Sequence, residues 1–276
     1  MEVKKLFFLF FVLTGGILNA QTNPVPETNL SRNQKKAEKR EKINQLVKQE
    51  EEGALIFDKQ SAFGIKFNTD GWGIFYEKGK YKTITKTSLW WIEFGERKSK
   101  KEENVPTQSS NQGFIVISSY IYGKQNNFYQ LKLGFGQQKL IGGKGNKNGI
   151  AVSAIYGGGF SAGLLKPYYI EIQNPTTGAR QSIKYSTETE KFFLDPTVIL
   201  GKGALGKGFN EMQFVPGVHI RTALRFDYGK YNEVLSAIEI GLNAEFYSKK
   251  MPIVLLNEEK NFFFNAYAAI TFGKRK

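Results

Sequence analysis

Few side chains of this chain could do chemistry, and their types limit which chemistry is possible. The 276 residues include no Cys and a single His, His219. Thiol redox chemistry, disulfides, iron–sulfur clusters and Cys/His zinc sites are therefore excluded. A hydrolase would need His219 beside a Ser and a carboxylate, and no Ser lies in a recognisable catalytic neighbourhood. We expect no catalytic residue, no metal site and no cofactor.

One stretch has the spacing of a phosphate-binding loop. Residues 201–207 match its first seven positions and end on Lys207. However, Gly208 stands where such a loop requires Ser or Thr, and no helical pattern follows. We therefore interpret the stretch as a glycine-rich loop and expect no nucleotide site.

Polar and charged side chains occupy all but one of the odd-numbered positions in the segment 218–228, the exception being Ala223. His219, Arg221 and Arg225 alternate there with Val, Ile, Leu and Phe, so one face is ionic and the other apolar. A period of two residues is typical of a β-strand. The same division recurs in 233–246, which carries Glu239 and Glu245, and in 261–272.

Strands of this kind favour a membrane barrel over a soluble sandwich, because they are about ten residues long and carry many aromatic side chains on one face. We predict an all-β fold over 53–276: a transmembrane, antiparallel, up-and-down β-barrel of about ten strands, within a range of about eight to twelve. Long and short connections alternate after the first hairpin, which predicts outer loops at 98–112, 138–148, 174–213 and 248–259. The candidate strands are 61–68, 72–78, 87–97, 113–123, 127–137, 149–157, 162–173, 214–228, 232–247 and 260–273.

The ionic faces of these strands would line the barrel interior. If Gly229 to Tyr231 form the turn between two strands, Arg221 lies opposite Glu239. A barrel of about eight to ten strands is narrow, so we expect an ion-paired and packed lumen, with a path for polar solutes as the alternative. The predicted network comprises Arg221, Glu239, Arg225, Glu245 and His219. Further inward charges are expected at Glu93, Lys132 and Glu171.

The first 52 residues differ in composition from the rest. Residues 1–20 combine a basic start, an apolar run from Leu6 to Leu18 and a small-residue site ending at Ala20, which is typical of a secretory signal peptide. Residues 21–52 are highly charged and have a weak apolar helical face. We predict a short periplasmic arm, partly helical or disordered, which is either a solvated linker or a segment that a partner orders.

The chain is strongly basic, with 39 Lys and Arg against 25 Asp and Glu. An exported protein does not meet intracellular nucleic acid, so nucleic acid is not an expected partner. Lysines in the predicted outer loops would instead face outer-membrane lipid and the phosphates of lipopolysaccharide, although ordinary solubilising charge is the alternative. The candidate lipid contacts are Lys98, Lys100, Lys101, Lys144 and Lys147.

Five short runs carry a resemblance to a known family: residues 64–73, 76–80, 120–124, 126–132 and the end 272–276. They resemble segments of small outer-membrane β-barrel proteins from Bacteroidota, and the cleavage site at Asn19, Ala20 and Gln21 is typical of that group. The resemblance implies an outer-membrane barrel and no catalytic residues. By analogy with the accessory barrels of large outer-membrane machines, it also makes an accessory subunit plausible.

These observations together predict an integral, multi-pass barrel of the cell outer membrane that is not an enzyme. Its expected function is that of an accessory or scaffold subunit in a larger outer-membrane complex for protein assembly or secretion. The arm 21–52 and the loop 174–213 are the expected contacts with other outer-membrane or periplasmic proteins. The alternatives are a narrow channel or ligand-binding barrel, and an outer-membrane lipid hydrolase.

Overall fold

The computed structural model describes residues 36–38, 40–41, 57–111, 114–144, 149–204, 206–229, 233–255 and 257–276. Residues 36–38 and 40–41 are helical. The predicted signal peptide, 1–20, and all other residues of the predicted arm, 21–52, lie outside the described residues. No helix in the described ranges is both long and apolar enough to span a membrane.

The described residues from 57 onward form mainly thirteen β-strands. They are β1 (Lys59–Asn68), β2 (Gly71–Tyr81), β3 (Lys86–Arg97), β4 (Asn104–Asn111), β5 (Phe114–Ile121), β6 (Asn126–Gly142), β7 (Ala151–Pro167), β8 (Tyr169–Gln173), β9 (Arg180–Lys184), β10 (Ile199–Lys202), β11 (Gln213–Asp227), β12 (Val234–Met251) and β13 (Lys260–Arg275). A short helix, Glu190–Phe193, and a 3-10 turn, Phe209–Glu211, complete the described elements.

Eight strands close into a barrel in the order β1-β13-β12-β11-β7-β6-β3-β2. Every neighbouring pair is antiparallel, and each barrel strand pairs with the next barrel strand along the chain. β1 closes the barrel by pairing with β13 as well as with β2. The all-β, antiparallel, up-and-down barrel predicted from the alternation of residues is therefore confirmed.

The expected count of about ten barrel strands is wrong, although eight lies within the predicted range. The predicted strands 149–157 and 162–173 merge in β7, which continues through Gly157 to Gly159. Glycine is needed there because neighbouring backbone comes very close: a Cβ at Gly159 would lie 2.0 Å from the carbonyl oxygen of Leu133. The predicted strand 113–123 contains β5, which pairs with β4 outside the barrel.

The two ends of the barrel differ in their connections. The terminal end holds the start of β1 and the end of β13, and has the connections 82–85, 143–150 and 228–233. The opposite end, which we call the cap end, has the connections 69–70, 98–125, 168–212 and 252–259. The prediction of 138–148 as an outer loop is wrong, because β5 is not a barrel strand and β6 therefore runs the other way.

The barrel wall has two chemically different faces because successive side chains of a strand point to opposite sides. In β11, Arg221 and Arg225 are buried inside while the alternate residues Ile220 and Leu224 are 62% and 44% exposed on the outside. The same alternation runs through β12 and β13. The ionic face thus lies inside the barrel and the apolar face outside it.

A folded subdomain covers the cap end and is called the cap. It contains the hairpin β4–β5, the sheet β10-β8-β9 and the short helix. The Thr107 hydroxyl of β4 donates a 2.7 Å hydrogen bond to the carbonyl oxygen of Leu200 in β10, which joins the hairpin to the sheet. The buried apolar core of the cap consists of Tyr120, Ile170, Ile172, Ile183, Phe193 and Ile199. Much of the predicted loop 174–213 is therefore folded.

An ion pair lies on the surface of the cap between β9 and the 3-10 turn. The Lys184 ammonium donates a 2.6 Å hydrogen bond to Glu211, and the Tyr169 hydroxyl donates to the same carboxylate at 3.1 Å. The hydrogen bond from Lys184 holds the pKa of Glu211 below its ordinary value. This pair ties the end of the connection 168–212 to the cap sheet.

Candidate functional site in the barrel interior

The five residues of the predicted lumen network all lie inside the barrel. Their exposed fractions are 4% for His219, 1% for Arg221, Arg225 and Glu245, and 0% for Glu239. They occupy inward positions of the adjacent strands β11 and β12. Buried charges are costly unless they are paired and hydrogen-bonded, so the partners of each one matter.

Arg225 joins carboxylates from two different strands. Its Nη2 lies 2.8 Å from Glu77 Oε2 on β2 and 2.7 Å from Glu239 Oε2 on β12. Its Nε donates a further bond of 3.1 Å to Glu239. Glu77 is not among the predicted residues, although the alternation in β2 places it on the inward face between Phe75 and Gly79.

Arg221 contacts the same two carboxylates at longer distances than Arg225 does. Its Nη2 is 3.5 Å from both Glu77 and Glu239, and its guanidinium carbon is 4.5 Å from the centroid of the Trp91 ring. The predicted register is wrong by four residues, because Arg225 stands opposite Glu239 and Arg221 opposite Asn243. The connection 228–233 is longer than the three-residue turn assumed from the sequence.

A second cluster surrounds Glu245 and Glu93 nearer the cap end. Lys132 of β6 bridges the two carboxylates, with Nζ at 2.6 Å from Glu245 and 3.1 Å from Glu93. Arg97 lies 3.0 Å from Glu245, and Lys66 pairs with Glu93. Lys132 and Glu93 are among the predicted inward charges, whereas Lys66 and Arg97 are not, since residues of β1 and β3 meet β12 only across the closed barrel. The prediction that Glu171 is also inward is wrong, because it lies in β8 of the cap sheet.

Apolar side chains fill the space between these charges. Trp91 is the largest and is 1% exposed. Its ring passes so close to β6 that a Cβ at Gly134 would lie 2.1 Å from a ring atom. The buried residues packed together here are Phe75, Leu89, Trp91, Ile155, Ala223, Tyr267 and Ala269. The interior is therefore occupied by paired charges and aromatic rings.

His219 pairs with a serine inside the barrel. Its Nδ1 is 3.0 Å from Ser161 Oγ on β7, and its ring packs edge-on against Trp91 with centroids 5.9 Å apart. Its Nε2 has no hydrogen-bond partner among the described residues. Both side chains are 4% exposed, so neither lies at the outer surface where a lipid could reach it. The geometry favours a packing role for this pair.

The five predicted lipid-contacting lysines do not lie at one end of the barrel. Lys98, Lys100 and Lys101 are exposed at the cap end. Lys144 lies at the terminal end, where its ammonium is 3.8 Å from Asp227, so the prediction that it belongs to an outer loop is wrong. It follows β6, whose direction the sequence did not indicate. Lys147 lies outside the described residues.

In the described part of the chain, no three His, Cys, Asp or Glu side chains are grouped as ligands of a metal ion would be. The carboxylates Glu77, Glu93, Glu239 and Glu245 each face Lys or Arg. The interior geometry therefore supports a structural network more than a metal or cofactor site.

Comparison with known proteins gives structural matches only. No family model matches the sequence, and no curated protein matches it. Solved structures similar over 79% of this chain include the N-terminal β-barrel domain of OprF from Pseudomonas aeruginosa, neisserial surface protein A (NspA), and Ail, the attachment invasion locus protein of Yersinia pestis, solved with the heparin analogue sucrose octasulfate. In that order, the identities are 9%, 7% and 8%, the TM-scores are 0.34, 0.37 and 0.32, and 98%, 96% and 96% of those chains are covered. The barrel fold of this chain is established by its own strand pairing.

Proposed function

We propose that this protein is an integral outer-membrane β-barrel that acts as a non-enzymatic accessory or scaffold subunit of a larger outer-membrane complex. The observation that carries the proposal is the combination of an apolar outer wall, an occupied interior and a folded cap. Each of these three features supports one part of the proposed function.

The apolar outer wall supports a position within the membrane. On β13 the outward residues from Phe262 to Phe272 are Phe, Phe, Ala, Ala, Ile and Phe. The ten residue-to-residue steps of this run, at about 3.3 Å each and tilted by about 40°, span about 25 Å along the barrel axis, which matches the apolar band of outer-membrane barrels. Lys260 and Lys274 are the outward residues next to the two ends of this run.

The occupied interior supports a role as a membrane anchor and argues against transport of solutes through the barrel. Arg225, Trp91 and Lys132 are each at most 2% exposed and project from different strands into the barrel. A water-filled path would require these side chains to leave their partners, which is costly for buried ions. A narrow channel is therefore the weaker alternative.

The cap supports binding to a protein partner. It has its own core around Phe193 and Ile170, so it presents a shaped surface. Ile117 of β5 is 74% exposed on this subdomain. Exposed apolar residues beside a folded scaffold are common features of protein interfaces. The arm 21–52 would supply a second, periplasmic contact.

Affinity purification of the tagged full chain from native membranes tests the partner. We expect an outer-membrane protein to co-purify in fixed stoichiometry, and Ile117→Asp to reduce its recovery by at least about tenfold. Ile84→Asp is the matched control, because Ile84 is 46% exposed at the opposite end of the barrel. Recovery of the barrel alone, or equal loss with both variants, would contradict the accessory role.

A further inference from the structure

Lysines gather on one side of the outer wall at the terminal end. They lie on the adjacent strands β13, β1, β2, β3 and β6, at outward positions next to the apolar band. All are exposed: Lys59, Lys78, Lys80, Lys86, Lys139 and Lys274. We call this set the lysine rim. Across the barrel, β7, β11 and β12 carry apolar outward residues at the same end, such as Val152, Phe226 and Val234. General solubilising charge would not explain this one-sided distribution.

The strand register brings lysines of the rim into direct opposition. Lys59 stands opposite Lys80, and Lys86 stands opposite Lys139. Like charges directly opposite each other destabilise a sheet unless an anion lies between them. Among the described residues, none of these four lysines is in an ion pair. The arrangement is therefore suited to an anion supplied from outside the chain.

Two aromatic residues place the rim at the depth of lipid headgroups. Tyr76 and Trp90 face outward with rings 6.2 Å apart in an edge-to-face pair. Lys78 Nζ lies 5.9 Å and 5.7 Å from their centroids. Tyr and Trp are enriched where a membrane barrel meets the headgroups. Beyond these rings, Ile74 and Ile92 continue the apolar band toward the cap end.

We propose that the lysine rim binds the phosphate of anionic phospholipids in the membrane leaflet around the terminal end. The ammonium groups of Lys59, Lys78 and Lys80 would neutralise the phosphate, and acyl chains would lie along Phe63 and its neighbours. Ser61, opposite both Lys78 and Lys274, adds a hydroxyl to the same surface. This inference rests on the proposed membrane position. In an outer-membrane barrel with periplasmic termini, this leaflet is the periplasmic one.

Vesicle reconstitution followed by native mass spectrometry tests the lipid site. The full chain is inserted into phosphatidylcholine vesicles containing phosphatidylglycerol, and the lipids retained on the released protein are counted. We expect phosphatidylglycerol to be enriched over its vesicle fraction. Because each lysine near an anionic surface contributes up to about fivefold in affinity, K78Q/K80Q/K86Q should lower the enrichment by at least about tenfold.

The matched control is K98Q/K100Q/K101Q, which removes the same charge at the cap end. It should keep the enrichment, and inorganic phosphate should not displace the lipid, because the acyl chains contribute to binding. No phosphatidylglycerol enrichment in the wild type, equal loss in both variants, or displacement by phosphate would overturn the proposal. Insertion into pure phosphatidylcholine distinguishes a failure of the proposed membrane position from a failure of the proposed lipid site. Failure to insert would contradict the membrane position, whereas insertion without lipid preference would contradict only the rim site.

Discussion

At the scale of residues, the interior depends on side chains that each satisfy several partners. Arg225 contacts Glu77 from β2 and Glu239 from β12, while the Tyr267 hydroxyl also donates to Glu239. Gln138 accepts a 3.3 Å hydrogen bond from Arg225 and a 3.2 Å bond from Gln60. Such a network stabilises the closed barrel only while every charge in it keeps a partner.

Replacement of Arg225 by Met tests this dependence. Among the described residues, Arg225→Met leaves the more distant Arg221 as the cation nearest to Glu77 and Glu239, and Glu239 keeps the hydrogen bond from Tyr267. Removing one partner of a buried pair costs about 3–5 kcal/mol of unfolding free energy. Urea unfolding in lipid vesicles, followed by tryptophan fluorescence, would measure the loss. Lys98→Met, at an exposed position, should change stability by less than about 0.5 kcal/mol; equal effects of the two variants would contradict the role assigned to Arg225.

At the scale of elements, glycines of β6 and β7 let the strands accommodate an inward tryptophan. The Trp91 ring lies against Gly134, Gly136 and Gly157, where an added Cβ would come within 2.1 to 3.1 Å of ring atoms. The glycine run at 157–159 is therefore part of a continuous strand, although its composition is typical of a turn. Gly157 packs against the ring from β3, while Gly158 and Gly159 lie against backbone carbonyl oxygens of β11 and β6. These tertiary contacts, and not local conformational preference, keep the three glycines in the barrel wall.

An added methyl group on β6 tests whether packing against Trp91 requires glycine at this position. Gly134→Ala forces the Trp91 ring to move and should lower the unfolding free energy by about 1–3 kcal/mol. Gly142→Ala on the same strand is the control, because nothing lies within 4 Å of its added Cβ. Urea unfolding would compare them. If Gly134→Ala were as stable as Gly142→Ala, Trp91 would not be packed as described.

At the scale of the whole molecule, the closed wall, the occupied lumen and the cap have different consequences. The wall makes the outside apolar, the lumen leaves the inside filled, and the connections 98–125 and 168–212 concentrate folded structure at one end. An anchor with a binding surface at one end accounts for all three, whereas a channel accounts only for the wall.

Planar-bilayer recording tests the occupied lumen directly. Because Trp91, Arg221 and Lys132 are buried within the barrel, the purified chain should give no discrete current steps at voltages where a porin in the same bilayer conducts. Insertion would be verified separately by protease protection of the barrel. Reproducible steps that scale with the amount of inserted protein would contradict the anchor and support the narrow channel.

The sequence by itself determined the character of the wall. Alternation is a property of one strand, so the inward positions of Arg221, Arg225, Glu239, Glu245 and His219 could be read from 218–228 and 233–246 before any pairing was known. The all-β antiparallel barrel followed from the same pattern. The cap could not be anticipated as a folded unit, because its core joins β5, β8, β9 and β10 across long separations in sequence.

Only the tertiary structure decided the number of strands, their direction and the partners of each charge. These depend on which strands meet when the barrel closes, and that is set by contacts between distant segments. Pairing of β7 with β6 and β11 through the glycine run joins two predicted strands into one. Because β5 lies outside the barrel, β6 runs opposite to the predicted direction and Lys144 lies at the terminal end. The pairing of Arg225 with Glu77, 148 residues away, likewise exists only because the sheet closes on itself.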